Sequence, residues 1–182
     1  MKTKLKVYKS LSIGLAFISV CIFCSCNQNG RPVDQEQKST DVEESLVKIN
    51  KKLVKSEDEQ IEDFLKRYEW KMKITGTGLR YFIYELGLGE KAEKGKIAKV
   101  DFTVSLLNGE VCYTSDSDGP KEFKIGQGGV ESGLEEGILL LKEGDRAKFI
   151  IPSHLAFGLL GDMDKIPAKA ALVYDVKLLK IK

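Results

Sequence analysis

Glycine punctuates the stretch from Gly126 to Gly161 so closely that no long element fits inside it: Gly126, Gly128 and Gly129 come first, Gly133 and Gly137 follow, and Gly144, Gly158 and Gly161 close it. Within that spacing Val130, Leu134, Ile138 and Leu141 recur at helical intervals, the apolar stripe of one short helix bounded by Gly129 and Gly144. The surrounding chain reads as strands. Lys71–Thr75 and Leu79–Leu86 alternate or run continuously apolar, each closed by glycine, and Ala98–Leu107 repeats the habit. Asn108-Gly109 is a tight-turn signal between Ser105–Leu107 and Val111–Tyr113, which predicts a hairpin. The last β-rich run, Ala171–Leu179, puts Asp175 and Lys177 on one face. One short helix among many strands predicts an α+β fold, a bent antiparallel sheet wrapped around that helix, over residues 70–182.

The amino terminus carries a different message. Four lysines within Met1–Ser10 precede an apolar run, Leu11 to Cys24, that ends in Ser25-Cys26. A spanning helix needs about 20 apolar residues, so this shorter run reads as a secretion signal. A small residue just before a cysteine resembles the processing site of bacterial lipoproteins, with Cys26 the lipidated first residue of the mature chain. Residues 1–25 are then the signal peptide, and the expected location is the cell envelope, with the protein held to a membrane by its lipid. Cys21 and Cys24 leave with the signal and Cys26 takes the lipid, so only Cys112 stays in the folded part and no disulfide framework exists. Without those four lysines the formal net charge of +2 becomes −2, which argues against a nucleic-acid partner.

Residues 26–40 are polar, with Gly30 and Pro32 and no apolar period, and read as a flexible tether reaching on the order of 20 Å. From there the pattern turns helical over residues 41–69. Val42, Leu46, Ile49 and Leu53 form one apolar stripe, and Ser56-Glu-Asp-Glu59 resembles a capping box that opens a second helix carrying Ile61, Phe64, Leu65 and Tyr68. Such an amphipathic pair can fold back on its own domain or join two copies into a homodimer. The stripe is narrow and interrupted by Lys and Asn, which disfavours a sustained coiled coil.

Most catalytic chemistries are excluded by residue supply. His154 is the lone histidine, so no multi-histidine metal site exists. No Gly-Lys-Ser/Thr phosphate loop occurs, and the neighbouring Glu135 and Glu136 diverge on a helix rather than face one another. Neither a cofactor nor a metal is implied.

The segments Gly126-Gln-Gly-Gly-Val-Glu-Ser-Gly-Leu-Glu-Glu-Gly137, Leu141-Lys-Glu-Gly-Asp-Arg-Ala-Lys-Phe-Ile-Ile-Pro152 and His154-Leu-Ala-Phe-Gly158 together resemble the carboxy-terminal half of an FKBP-type peptidyl-prolyl isomerase. The resemblance runs from about Gly78 to Lys182. It implies turnover without a nucleophile. Rotation about a peptide bond has a barrier of about 18–20 kcal/mol, and an apolar pocket that shelters the prolyl amide from water favours the twisted state, whose carbonyl is less polar. By the same resemblance Phe102 falls where a pocket tyrosine is usual, Phe123 and Val130 keep wall positions, Ile166 lies on the loop beside the proline, and Tyr174 replaces a phenylalanine. The backbone N–H of Glu131 matches the donor to the substrate carbonyl. Phe157 lacks the hydroxyl of the usual tyrosine, Leu134 replaces a tryptophan on the pocket floor, and Cys112-Tyr113 replaces a Phe-Asp pair.

Loss of that polar anchor implies macrolide binding weakened by about 1–3 kcal/mol. The pattern Asn108-Gly-Glu-Val-Cys-Tyr-Thr-Ser115, with Phe157-Gly-Leu-Leu-Gly-Asp162 and the helical run Ile49-Asn-Lys-Lys-Leu53, further resembles the lipoprotein members associated with bacterial gliding motility. The implied partners are proline-containing unfolded or extracytoplasmic polypeptides. Two functions follow: isomerisation of X-Pro bonds in exported or envelope proteins, or a non-catalytic chaperone or interaction module on a degenerate isomerase fold.

Overall fold

Backbone hydrogen bonding turns the glycine-bounded segments into short elements strung around two long strands. The computed structural model describes residues 35–182, with side chains from residue 45 onward. The predicted signal, Cys26 and the first part of the predicted tether lie outside the described residues. Leu46–Lys182 form one compact unit and the residues up to Ser45 another, of which only the first turns of helix α1 (Gln35–Tyr68) are described.

That helix corrects the sequence reading in two respects. It begins inside the segment read as tether through Thr40, and it runs unbroken through Ser56, where a second helix was expected to open. No glycine or proline lies between Gln35 and Tyr68, so nothing forces Ser56 into the non-helical backbone that a cap requires. Glu57 instead accepts from the Ser153 backbone N–H at 2.6 Å and from its hydroxyl at 3.0 Å. The helix stops at Glu69, whose φ of 55° is left-handed, and the Trp70 N–H closes on the Leu65 carbonyl at 3.0 Å.

After α1 come strands β1 (Lys73–Ile74), β2 (Arg80–Glu85), β3 (Ile97–Leu106) and β4 (Val111–Thr114), a single helical turn α2 (Ser115–Asp118), and β5 (Lys121–Lys124). Helix α3 (Ser132–Ile138), β6 (Arg146–Ile151), a 3-10 turn at Ser153–Leu155 and β7 (Leu172–Ile181) complete the domain. The strands form one antiparallel sheet in the order β1-β2-β6-β7-β3-β4, with β5 also pairing β3. The Asn108-Gly109 hairpin joins β3 to β4 as expected, with Gly109 at φ 90° and the Asn108 side chain accepting from the Glu110 N–H.

Each face of the sheet has its own cover. Alternate residues of β7, Leu172, Tyr174, Val176 and Leu178, join Val100, Phe102 and Val104 of β3 and Phe149 of β6 in the main core beneath α3. On the intervening positions Ile150 and Val173 meet Ile61 and Phe64 of α1. The second half of α1 therefore folds back on its own domain, whereas Leu46, Ile49 and Leu53 of the predicted stripe stay exposed. Arg80, with its side chain only 5% exposed, pins the docked half by pairing with Asp58 and Glu62, each at 3.2 Å. Asp175 and Lys177 share a face as predicted, and Asp175 accepts from both Tyr84 and Lys148.

Close approach of α3 to the sheet depends on its glycines. A Cβ on Gly137 would lie 2.7 Å from the Phe149 ring, and one on Gly133 would lie 2.4 Å from Ile151 Cγ2. Gly137→Ala should therefore lower the unfolding free energy by about 1–3 kcal/mol through overpacking. Ile61→Ala, which empties the contact between α1 and the sheet, should lower it by about 2–5 kcal/mol. Urea denaturation followed by circular dichroism measures both.

Candidate functional site

The residues singled out in the sequence come from six separate stretches of chain, and the fold gathers them. Phe102 from β3, Cys112 from β4, Phe123 from β5, Leu134 from α3, Tyr174 from β7 and Ile166 from the loop before β7 are buried members of one apolar cluster. Tyr113, Val130 and Phe157 are half-buried and pack against it. Leu134 is fully buried and Tyr174 is 1% exposed. The half-exposed residues Tyr113, Val130, Glu131 and Phe157 form the solvent-facing edge. Two cavities, of about 540 Å³ beside Trp70 and Met72 and about 440 Å³ along α1, lie away from this cluster.

Each wall is fixed by backbone. Register pairing places Val104, Tyr174 and Phe149 in one row across β3, β7 and β6. The Phe102 N–H donates to Ser115 Oγ at 2.6 Å, and that hydroxyl donates back to the Phe102 carbonyl at 3.1 Å, so the start of α2 is clamped to β3. Lys121 lies 5.1 Å from the Phe102 ring centroid, over its face. Glu131 caps α3 with its carbonyl, which accepts from the N–H groups of Leu134 and Glu135 at 3.0 and 3.1 Å.

The loop from Ala156 to Ala170 is held by a carboxylate that sequence reasoning missed. Asp162 Oδ1 accepts from the N–H groups of Asp164 at 2.9 Å and Ile166 at 2.8 Å, and its Oδ2 accepts from the Tyr113 hydroxyl. Gly161 makes the turn possible: its φ is 71°, and a Cβ there would lie 2.2 Å from the Ile166 carbonyl oxygen. The closely spaced Gly161-Asp162 and Asp164 are a turn signal that could have revealed the arrangement. Tyr113, which the resemblance places where an aspartate is usual, thus straps β4 to the loop opposite, and Lys165 lies over its ring at 4.8 Å.

Electrostatics follow from these contacts. Burial tends to raise the Asp162 carboxyl, but the bonds donated by Tyr113, Asp164 and Ile166 outweigh it and hold the group below the ordinary aspartate value. The bond to Asp162 pushes the Tyr113 phenol well above its ordinary value, with burial adding to the effect. Burial also raises the Cys112 thiol, reinforced by Glu110 and Asp162, so Cys112 is not an activated nucleophile.

The remaining acids and the histidine hold structure. Glu135 accepts from the Gly128 N–H at 3.1 Å and Glu136 from the Thr77 hydroxyl at 2.7 Å, so the two carboxylates diverge to separate partners. His154 is exposed after β6, and its Nε2–H donates to the Thr77 carbonyl at 3.0 Å.

This sheet order, the short helix beneath it and the cluster of side chains between them define an FKBP-like α+β domain. Residues 89–179 match the family described as FKBP-type peptidyl-prolyl cis-trans isomerase. The chain is 41% identical over 150 residues to the probable FKBP-type peptidyl-prolyl cis-trans isomerase FkpA of Neisseria meningitidis serogroup B, an overlap covering 81% of this chain and 53% of that protein. It is also 41% identical over 92 residues to FK506-binding protein 2 of Dictyostelium discoideum, covering 50% of this chain and 69% of that one. The crystal structure of FkpA from Escherichia coli superposes with a TM-score of 0.62 at 31% identity, over 82% of this chain and 73% of that chain. AtFKBP13 gives 0.59 at 29% identity, over 62% of this chain and all of that one. The chain thus spans about half the length of the Neisseria relative, and 40% of FkpA from Aeromonas hydrophila. It belongs to the FKBP-type peptidyl-prolyl cis-trans isomerase family.

The Tyr113–Asp162 bond predicts a two-sided pH dependence. Asp162 is depressed when folded, so its stabilisation is complete above the unfolded value of 3.8 and lost as pH falls through the lower folded value. Tyr113 is raised when folded, so its stabilisation is complete below 10.0 and lost as pH rises through the higher folded value. Amide exchange at Ile166 and Asp164, corrected for its intrinsic pH dependence, should show constant protection between those limits. Tyr113→Phe should lower that protection at neutral pH.

Proposed function

We propose that the chain isomerises X-Pro peptide bonds in exported or envelope polypeptides. The observation that carries this reading is the convergence of Phe102, Phe123, Val130, Leu134, Ile166 and Tyr174 on one apolar cluster, with the Glu131 backbone N–H at its edge. A proline side chain enters between Tyr113, Val130 and Phe157. Its amide loses water, the Glu131 N–H holds the neighbouring carbonyl, and the twisted, less polar amide gains relative to either planar form. Phe157 brings no hydroxyl to the substrate, so less of the binding comes from hydrogen bonds. The names of the relatives and the matched family support the activity.

Lipidation at Cys26 and membrane anchoring are part of the same proposal, supported by the lysine-led apolar run and Ser25-Cys26. A homodimer through residues 41–69 is supported by the exposed Leu46, Val47, Ile49 and Val54 on α1. The likeness to gliding-motility lipoproteins stays a likeness of the segments around Ile49, Asn108 and Phe157.

A second reading, a non-catalytic chaperone, draws on the near-complete burial of Leu134 and Tyr174, which leaves only the edge of the cluster open. A proline tetrapeptide assay separates the two. The isomerase reading expects acceleration over buffer, with kcat/KM falling at least about tenfold in Phe102→Ala, the effect of some 1.4 kcal/mol of transition-state packing. A rate equal to buffer, with aggregation of a proline-free client still suppressed by wild type and Phe102→Ala alike, establishes the chaperone reading instead.

A further inference from the structure

The isomerase reading, on which this inference rests, uses only the backbone of Glu131. Its side chain occupies a particular place. The Tyr174 hydroxyl, deep in the cluster, lies near the Glu131 carboxylate, and Oε2 of that carboxylate is buried with no hydrogen-bond partner. No backbone N–H donates to it; the Glu131 backbone sits at φ −60° and ψ 139°, and its carbonyl accepts from the first turn of α3. The cations of neighbouring walls are engaged elsewhere, Lys121 over the Phe102 ring and Lys165 over the Tyr113 ring. A carboxylate oxygen without a donor in such surroundings costs free energy that an incoming donor recovers, and a cationic donor recovers most. Burial, followed by the neighbouring Glu131 charge, raises the Tyr174 phenol far above its ordinary value, so its hydroxyl stays protonated at neutral pH.

We infer that Glu131 determines substrate choice: its unpartnered carboxylate oxygen accepts a hydrogen bond from a lysine or arginine side chain adjacent to the proline being isomerised. Val130 precedes it on the cluster's edge and the residue is half-buried overall, so a side chain flanking a bound proline passes beside it and reaches Oε2, buried in the free protein, when the carboxylate turns toward the peptide. The substrate class is X-Pro segments with a basic residue beside the proline, and acidic flanks are disfavoured by the same charge.

Two series of proline tetrapeptides test this, one varying the residue before proline and one the residue after it, each with lysine, norleucine and glutamate. In at least one series wild type should turn over the lysine peptide with kcat/KM about tenfold or more above the glutamate peptide, with norleucine between. Glu131→Gln keeps the backbone N–H and the side-chain shape, and the lysine-to-glutamate ratio should collapse toward unity whatever happens to the absolute rate. Tyr174→Phe removes the hydroxyl but leaves the carboxylate, and the ratio should persist. Equal rates for lysine and glutamate in both series overturn the inference, as does a preference that survives Glu131→Gln. If the norleucine peptides are not isomerised, the isomerase reading fails separately. Peptide affinities from amide shifts of Val130 and Glu131 then decide the inference by the same ratio.

Discussion

Strand β7 is the constraint on which the rest depends. It pairs with β3 along its whole length and with β6 over Arg146–Ile151, so a single strand sets the register of both halves of the sheet. A shift of one residue would exchange Tyr174 and Val176 for Val173 and Asp175 on the core face. The α1-facing side would then receive Tyr174 in place of Val173, and the apolar cluster would receive a carboxylate. Both sides of the strand are therefore committed, one to α3 and the candidate site, the other to Ile61 and Phe64. The site inherits its shape from this double commitment.

Much of this was legible in the chain because local signals and tertiary packing agree. Asn108-Gly109 demands a tight turn and makes one, and the glycines around Val130 allow only the short α3 they flank. The apolar positions assigned by resemblance come together because strand alternation and the sheet order bring them to one face. The break at Ser56 failed for a physical reason. A capping box is a preference of a helix end, and with no glycine or proline nearby the helix lost nothing by continuing through Ser56. The segment read as tether gives way to helix at Gln35, because polarity without glycine or proline is equally compatible with a helix.

Polar detail was the least legible. Nothing local announces that Tyr113 will reach Asp162, forty-nine residues away, or that Arg80 will be buried against two acids of α1. Such partnerships depend on distances that exist only after the sheet closes. The buried Asp145 is a further example, accepting from the Gly87 N–H at 2.6 Å and the Lys142 N–H at 2.7 Å to brace two loops. A sequence shows the acid but not the donors.

The polar groups around the cluster have moved rather than vanished. By resemblance a hydroxyl is missing at Phe157 and a carboxylate at Tyr113, yet hydroxyls are present at Tyr113 and Tyr174 and carboxylates at Asp162 and Glu131. The Tyr113 hydroxyl bonds to Asp162, and the Tyr174 hydroxyl lies near Glu131. The two pairs differ in their surroundings. Asp162 has every oxygen engaged, by Tyr113 and two backbone N–H groups, so that pair has little left to offer a ligand and acts on the loop beside Ile166. Glu131 has a buried oxygen without a donor, so its side is left incomplete. The apolar cluster is therefore flanked by one acid with its oxygens engaged and one with an oxygen to spare, and on the proposed isomerase reading the spare capacity lies on the α3 side.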